Sequence, residues 1–172
     1  MVELREFTPA DGQLLAAWIA NPTELLMWAG PTFTWPLDPP QLAAYAAESA
    51  TGLRRTWTAQ APATAEPIGH ASLRLDPAHP TARLGRVLVA PTARGRGYAL
   101  AMLDQVLTTA FTDLALDRID LGVFAHNTSA IRLYERLGFT CDHVIPNVER
   151  VNGHPWSANQ MTLPKSTWTA TN

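Results

Sequence analysis

Two arginines alternating with two glycines, Arg94-Gly95-Arg96-Gly97, stand between an apolar strand-like run at 84–89 and an apolar helix-like run at 100–111. No other stretch constrains the fold as strongly. A strand closed by Ala90-Pro91 must turn sharply into a helix there, and glycine permits the backbone angles that such a turn needs. The turn exposes backbone N–H groups, and the helix opened by Tyr98-Ala99 adds a partial positive charge at its N-terminus. Strand, basic turn and helix start together form a cradle for phosphates. A Walker loop would need Gly-Lys-Ser/Thr, which is missing here. A Rossmann fingerprint would need a third glycine where Leu100 stands. Taken alone, the turn also fits a plain strand-to-helix connection.

The chain's 172 residues predict one domain, residues 1–172, with a sizeable core. With 47% apolar and 16% charged residues it is a globular sequence rather than a disordered one. Net charge is −2, which argues against general nucleic-acid binding. Cys141 is the only cysteine, so no intrachain disulfide forms and no zinc cluster is expected; no metal is expected at the site. The first residues, Met1-Val2-Glu3-Leu4-Arg5-Glu6, lack the apolar core of a signal peptide, and no run approaches about 18 apolar residues. These features predict no membrane span and a cytoplasmic setting.

Residues 2–7 alternate apolar and charged side chains, as in a half-buried strand. Three helix starts follow: Thr8-Pro9-Ala10-Asp11, Asn21-Pro22-Thr23-Glu24 and Asp38-Pro39-Pro40-Gln41. Each has an N-cap residue, a proline at N1 and an acid or amide at N3. The helices are expected to end near Ala20, Ala29 and Ser49. Residues 54–61 and 67–76 then read as a hairpin, and 81–89 as a third strand. A helix is expected at 97–111, a strand at 118–124, a helix at 128–137, and strands at about 140–145 and 156–163. Residues 166–172 read as a polar tail. The order predicts an α/β fold with a mixed, mostly antiparallel sheet flanked by helices.

The segment from Leu121 to Phe139 carries a second signature. Asn127 can cap a helix, Ala130, Leu133, Tyr134 and Leu137 share one face, and Gly138 can end it at C′. A capped amphipathic helix accounts for that spacing equally well. Together with the glycine turn, however, the segment closely resembles the GNAT superfamily of N-acetyltransferases. That family's pyrophosphate motif, Arg/Gln-x-x-Gly-x-Gly/Ala, is matched by Arg94, Gly97 and Ala99. Its Asn…Ala-x-x-x-Tyr-x-x-x-Gly-Phe segment is matched by Asn127, Ala130, Tyr134, Gly138 and Phe139. In element order the resemblance runs from about Val2 to Leu163, and its specific motifs lie within residues 85–139.

The resemblance implies an enzyme that moves an acetyl group from acetyl-CoA to a primary amine. It places the pyrophosphate at Arg94, Gly95, Arg96, Gly97, Tyr98 and Ala99, with Asn127 nearby. Pantetheine and the thioester fall to the backbone of Val87, Leu88 and Val89. Arg96 either adds charge to the phosphates or points into solvent. Tyr134 is implied as the acid for the leaving thiolate, since a phenol near 10 keeps its proton at neutral pH; its place on the apolar stripe also fits a core tyrosine.

Many relatives carry a glutamate on the strand that ends at Val89, yet residues 82–89 contain no acid. His70 is the candidate base, on the polar alternation of its strand beside Ser72, where a half-exposed structural histidine is the competing reading. Glu24 and Glu66 are weaker candidates, and water can take the proton from an α-amine that titrates near 8.

The three early helices lie where relatives build the acceptor pocket. Trp28, Phe33, Trp35, Trp57 and Trp156 either line it or belong to the core. The acceptor is expected to be a small-molecule amine or a protein N-terminal amine, the latter because the helices and Trp28-Ala29-Gly30 resemble the ribosomal-protein branch. The final strands of relatives often pair subunits, which implies a homodimer. Two further readings are an acyl-CoA sensor without turnover and a nucleotide-binding domain.

Overall fold

The structure, a computed structural model, describes residues 2–170. Its strands are β1 (Glu3–Glu6), β2 (Arg54–Gln60), β3 (Pro67–Leu75), β4 (Thr81–Val89), β5 (Arg118–Phe124), β6 (Thr140–Val151) and β7 (His154–Pro164). They form one sheet in the order β1-β2-β3-β4-β5-β7-β6. Every neighbouring pair is antiparallel except β4 and β5. The helices are α1 (Gly12–Trp18), α2 (Pro22–Ala29), α3 (Pro39–Ala50), α4 (Tyr98–Thr108) and α5 (Thr128–Arg136).

The three early helix starts fold as their caps dictate. Asn21 Oδ1 accepts from the Glu24 N–H at 2.9 Å, and Asp38 Oδ1 from the Gln41 N–H at 3.1 Å. At the first start, Thr8 and Asp11 form a capping box around a short 3-10 turn, Pro9–Asp11, and α1 then ends at Trp18 rather than near Ala20.

Period-two alternation in β3 separates two cores. Ala71 and Leu73 face α4, where Leu103 and Leu107 are sealed, and Phe111 in the turn after it and the buried side chains of β5 and α5 join them. Each sealed leucine contributes roughly 1.5–3 kcal/mol by leaving water. His70 and Ser72 face the other way, toward Phe7, Leu15, Trp28, Leu42 and Tyr45 of the early-helix layer.

Two sequence expectations need correction. The last two strands are longer than predicted and form one hairpin around Asn152 and Gly153, both at positive φ. The Asn-Gly pair is the sequence signal for such a turn. The expected polar tail at 166–172 is partly docked: Lys165–Thr167 form a helical turn and Trp168 packs 5.1 Å from the Phe111 ring. Residues 171–172 lie outside the described residues.

The part of the fold that shapes a site is the break in β4. Leu88 pairs with His70 and Gly85 with Ser72, so Arg86 and Val87 together oppose Ala71. Arg86 sits in the left-handed region at φ 54°. This is a β-bulge, and it bends the strand. On its other side β4 pairs with β5 only over Thr81–Arg83 and Arg118–Asp120. Beyond those residues the parallel strands part into a wedge. Arg83 bonds Gln160 Oε1 at 2.9 Å across the floor of the wedge, and Gly122 leaves room for its guanidinium.

Candidate active site

The glycine turn lies at the mouth of this wedge. Gly95 and Gly97 have φ of 75° and 77°, angles that side-chain-bearing residues adopt only under strain. No protein atom lies within 4 Å of where a Cβ would sit on either glycine, so the turn opens onto free space. Gly97 caps α4 without any side-chain bond, and the first turn holds no acid. The leading N–H groups of α4 therefore point outward without partners from the helix. Arg94 Nε donates to the Val89 carbonyl at 3.2 Å, which lays its guanidinium across the end of β4. Arg96 is exposed, while Tyr98 and Ala99 are half-buried at the helix start. The arrangement is a concave set of donors with a helix dipole behind it, suited to a pyrophosphate.

Val87, Leu88 and Val89 are half-buried and line β4 from the bulge to the turn. Leu88 and Val89 spend one backbone edge on β3; the edge toward β5 has no ladder partner among the described residues. An extended chain with amide groups fits such an edge as an added strand would.

Tyr134 enters from α5. Asn127 fixes the start of this helix by accepting from the Ala130 N–H at 3.3 Å, so its carbonyl oxygen is used in capping. Gly138, at φ 95°, ends the helix: its N–H meets the Glu135 carbonyl and the Phe139 N–H meets that of Tyr134, both at 3.0 Å. Tyr134 is 8% exposed, and burial pushes its phenol up to about 12. Its hydroxyl makes no hydrogen bond among the described residues, yet it is not among their sealed, unpartnered atoms. The ring belongs to the core and the oxygen is left available.

His70 is not half-exposed as its strand alternation suggested. It is 1% exposed, packed 4.9 Å from the Phe7 ring, with Nε2 2.7 Å from the Tyr45 hydroxyl. Burial and the nearby Arg86 charge drive its pKa down to about 3. At neutral pH it is an uncharged hydrogen-bond partner and a weak proton acceptor.

The expected acceptor aromatics divide. Trp28 stacks on Phe33 at 5.6 Å above the early-helix face. Trp35 is exposed, whereas Trp57 stands opposite Ala71 and faces α4. Trp156 meets Phe124 and His126 at 5.0 and 4.2 Å near the end of β5.

A cluster that the sequence did not single out fills the early-helix face. The Arg86 guanidinium lies 4.3 Å from the Tyr45 ring and 5.0 Å from the Phe33 ring. Arg54 Nε bonds Glu48 Oε2 at 2.5 Å, and its Nη1 bonds Ser72 Oγ at 3.1 Å. The one available signal was an arginine in the middle of the apolar run of β4. Among the described residues no group of three or more His, Cys, Asp or Glu gathers as a metal site, and no helix is long and apolar enough to cross a membrane.

This geometry coincides with a family match. Residues 22–139 fit the model of the acetyltransferase (GNAT) family, a span that contains the wedge, the glycine turn and Tyr134. The chain belongs to the GNAT family. A GNAT relative, the spermidine N(1)-acetyltransferase of Vibrio cholerae, is 30% identical over 81 residues, 47% of each chain. The SPbeta prophage-derived uncharacterized N-acetyltransferase YokL of Bacillus subtilis is 41% identical over 46 residues, 27% of this chain and 26% of that one. The matched segments thus span about half or less of these relatives. The solved Vibrio cholerae spermidine N-acetyltransferase in complex with CoA and spermine shares the GNAT fold with a TM-score of 0.84, at 21% identity over 96% of both chains.

Proposed function

We propose that this chain is an acetyl-CoA-dependent N-acetyltransferase whose acceptor is a small-molecule primary amine, and that residues 1–172 act as one domain. The observation that carries this reading is the presence of three features around one buried cluster. These are an open glycine turn at a helix N-terminus, an unpaired β4 edge, and a buried tyrosine with a free hydroxyl. Relatives named for spermidine acetylation favour a small amine over a protein N-terminus.

In this reading the N–H groups of 95–99 and the Arg94 and Arg96 guanidinium groups hold the pyrophosphate. The β4 edge at Val87, Leu88 and Val89 aligns the pantetheine amides, and a β4 N–H beside the bulge polarises the thioester carbonyl. The amine nitrogen attacks that carbonyl, the C–N bond forms and the C–S bond breaks. The amine nitrogen gives one proton to water, and the departing thiolate takes one from water. Tyr134, held protonated near 12, is a weaker acid than a thiol near 8.5. Its hydrogen bond therefore stabilises the developing thiolate. His70 holds Tyr45 in place, and water removes the proton from the amine.

Thiol release from acetyl-CoA with a panel of amines, and mass spectrometry of the products, tests the proposal. An acetylated amine is the expected result. Binding of acetyl-CoA with no turnover of any amine makes the chain a sensor, and tighter binding of ATP or NAD than of acetyl-CoA overturns the reading.

A further inference from the structure

The acceptor face of β4 carries a cation that the chain leaves incompletely matched. The Arg86 side chain is only 9% exposed. Its Nη1 is sealed and has no hydrogen-bond partner among the described residues. The nearest carboxylate, Glu48, already bonds Arg54 at 2.5 Å and stands 3.8 Å from Arg86 Nη1. Two guanidinium groups thus share one carboxylate. His70 adds no negative charge, and Asp11 is spent on a two-pronged pair with Arg5 at 2.7 Å. Burying an unmatched guanidinium is costly, and a structural role would give it full partners.

Its backbone points the same way. Arg86 is a non-glycine residue at φ 54°, in the bulge directly before Val87. Such strain persists where the surrounding structure requires it, and it clusters at ligand clamps. Here it turns Arg86 onto the early-helix face, beside the strand that holds the thioester in the proposed reading. Tyr45 and Phe33 fix the guanidinium plane. Phe33 is half-buried on an exposed segment between α2 and α3. A flat, oriented fork with a sealed, unpartnered Nη1 matches a carboxylate. A polycationic amine would meet a like charge there.

We infer that Arg86 is the anion-binding residue of the acceptor site, and that the acceptor is a small amine carrying a carboxylate, as an amino acid does. This rests on the acetyl-transfer reading and names its substrate class.

The test compares α- and ω-amino acids with their amides and with the diamines of equal length, in wild type and Arg86→Gln. The acids are expected to be the better substrates. In R86Q their KM should rise roughly 10- to 100-fold, the range for a lost charged hydrogen bond, while the KM values for amides and acetyl-CoA stay put. Preference for diamines over acids in the wild type, or an acid KM unchanged in R86Q, overturns the assignment and leaves acetyl transfer standing. Should R86Q not fold, Arg86→Lys decides: loss of the acid-over-amide preference supports the assignment, and its retention overturns it. Thermal unfolding with coenzyme A present needs no turnover. A rise in Tm with amino acids in the wild type but not in the variant supports the anion site even if acetyl transfer fails, and no rise in either contradicts it.

Discussion

The two faces of the sheet are built on different principles. Under α4 and α5 the residues are apolar, sealed and locally encoded: Leu103, Leu107, Ile119 and Tyr134 pack beneath helices whose ends are written in Gly97, Asn127 and Gly138. Under α1, α2 and α3 the layer is aromatic and charged, with Tyr45, His70, Arg54 and Arg86 drawn from α3, β3, β2 and β4. In the proposed reading the first face holds the cosubstrate and the second meets the acceptor. A common cosubstrate needs fixed backbone geometry, whereas an acceptor is chosen by side-chain charge and shape.

Substitutions on each face should therefore fail in different ways. The largest effect is expected from Gly97→Asp, which places an anion at the helix N-terminus and forces a side chain to φ 77°. Acetyl-CoA affinity should fall by roughly 100-fold or more by calorimetry, given the charged contacts displaced. Unchanged affinity would mean that the turn is not the phosphate site. Next, Tyr134→Phe should lower kcat about 100-fold, the scale of a lost hydrogen bond to charge that develops in the transition state, at constant acetyl-CoA affinity.

Leu103→Ala sharpens the comparison through stability alone. This side chain is fully sealed, and its truncation should cost about 3 kcal/mol in denaturant unfolding with little change in KM. A loss under 1 kcal/mol would mean that the α4 face is loosely packed.

A last effect, spread over several pH units, is a stability slope that belongs to the other face. His70 titrates near 3 in the fold and near 6.5 when unfolded. Its contribution is present above pH 6.5 and is lost as pH falls through about 3, because the unfolded chain binds the proton first. Stability should drop by up to about 1.4 kcal/mol per pH unit in that window. His70→Gln should flatten that part of the profile, and an identical profile in the variant would place the histidine outside the titration.

The same contrast explains what could be read in advance. Strands 81–89 and 118–124 were legible to the residue because periodicity and bounding turns agree there. So were the caps at Asn21, Asp38 and Asn127, which act over three residues. The glycine turn and the Tyr134 helix were legible because their spacing is local. The Arg86 cluster was not, since only the fold brings its members together. His70 looked half-exposed because alternation marks a face and does not show that the other face is also covered. After β6 the Asn152-Gly153 turn was written in the sequence, and Pro146 masked the strand before it.

The most direct measurement is steady-state thiol release from acetyl-CoA with an amine panel, run on wild type and Tyr134→Phe alongside their acetyl-CoA affinities. Turnover in the wild type, roughly 100-fold slower kcat in the variant, and equal affinities are expected. Normal turnover in Y134F, or acetyl-CoA binding in the wild type with no amine ever acetylated, would contradict it.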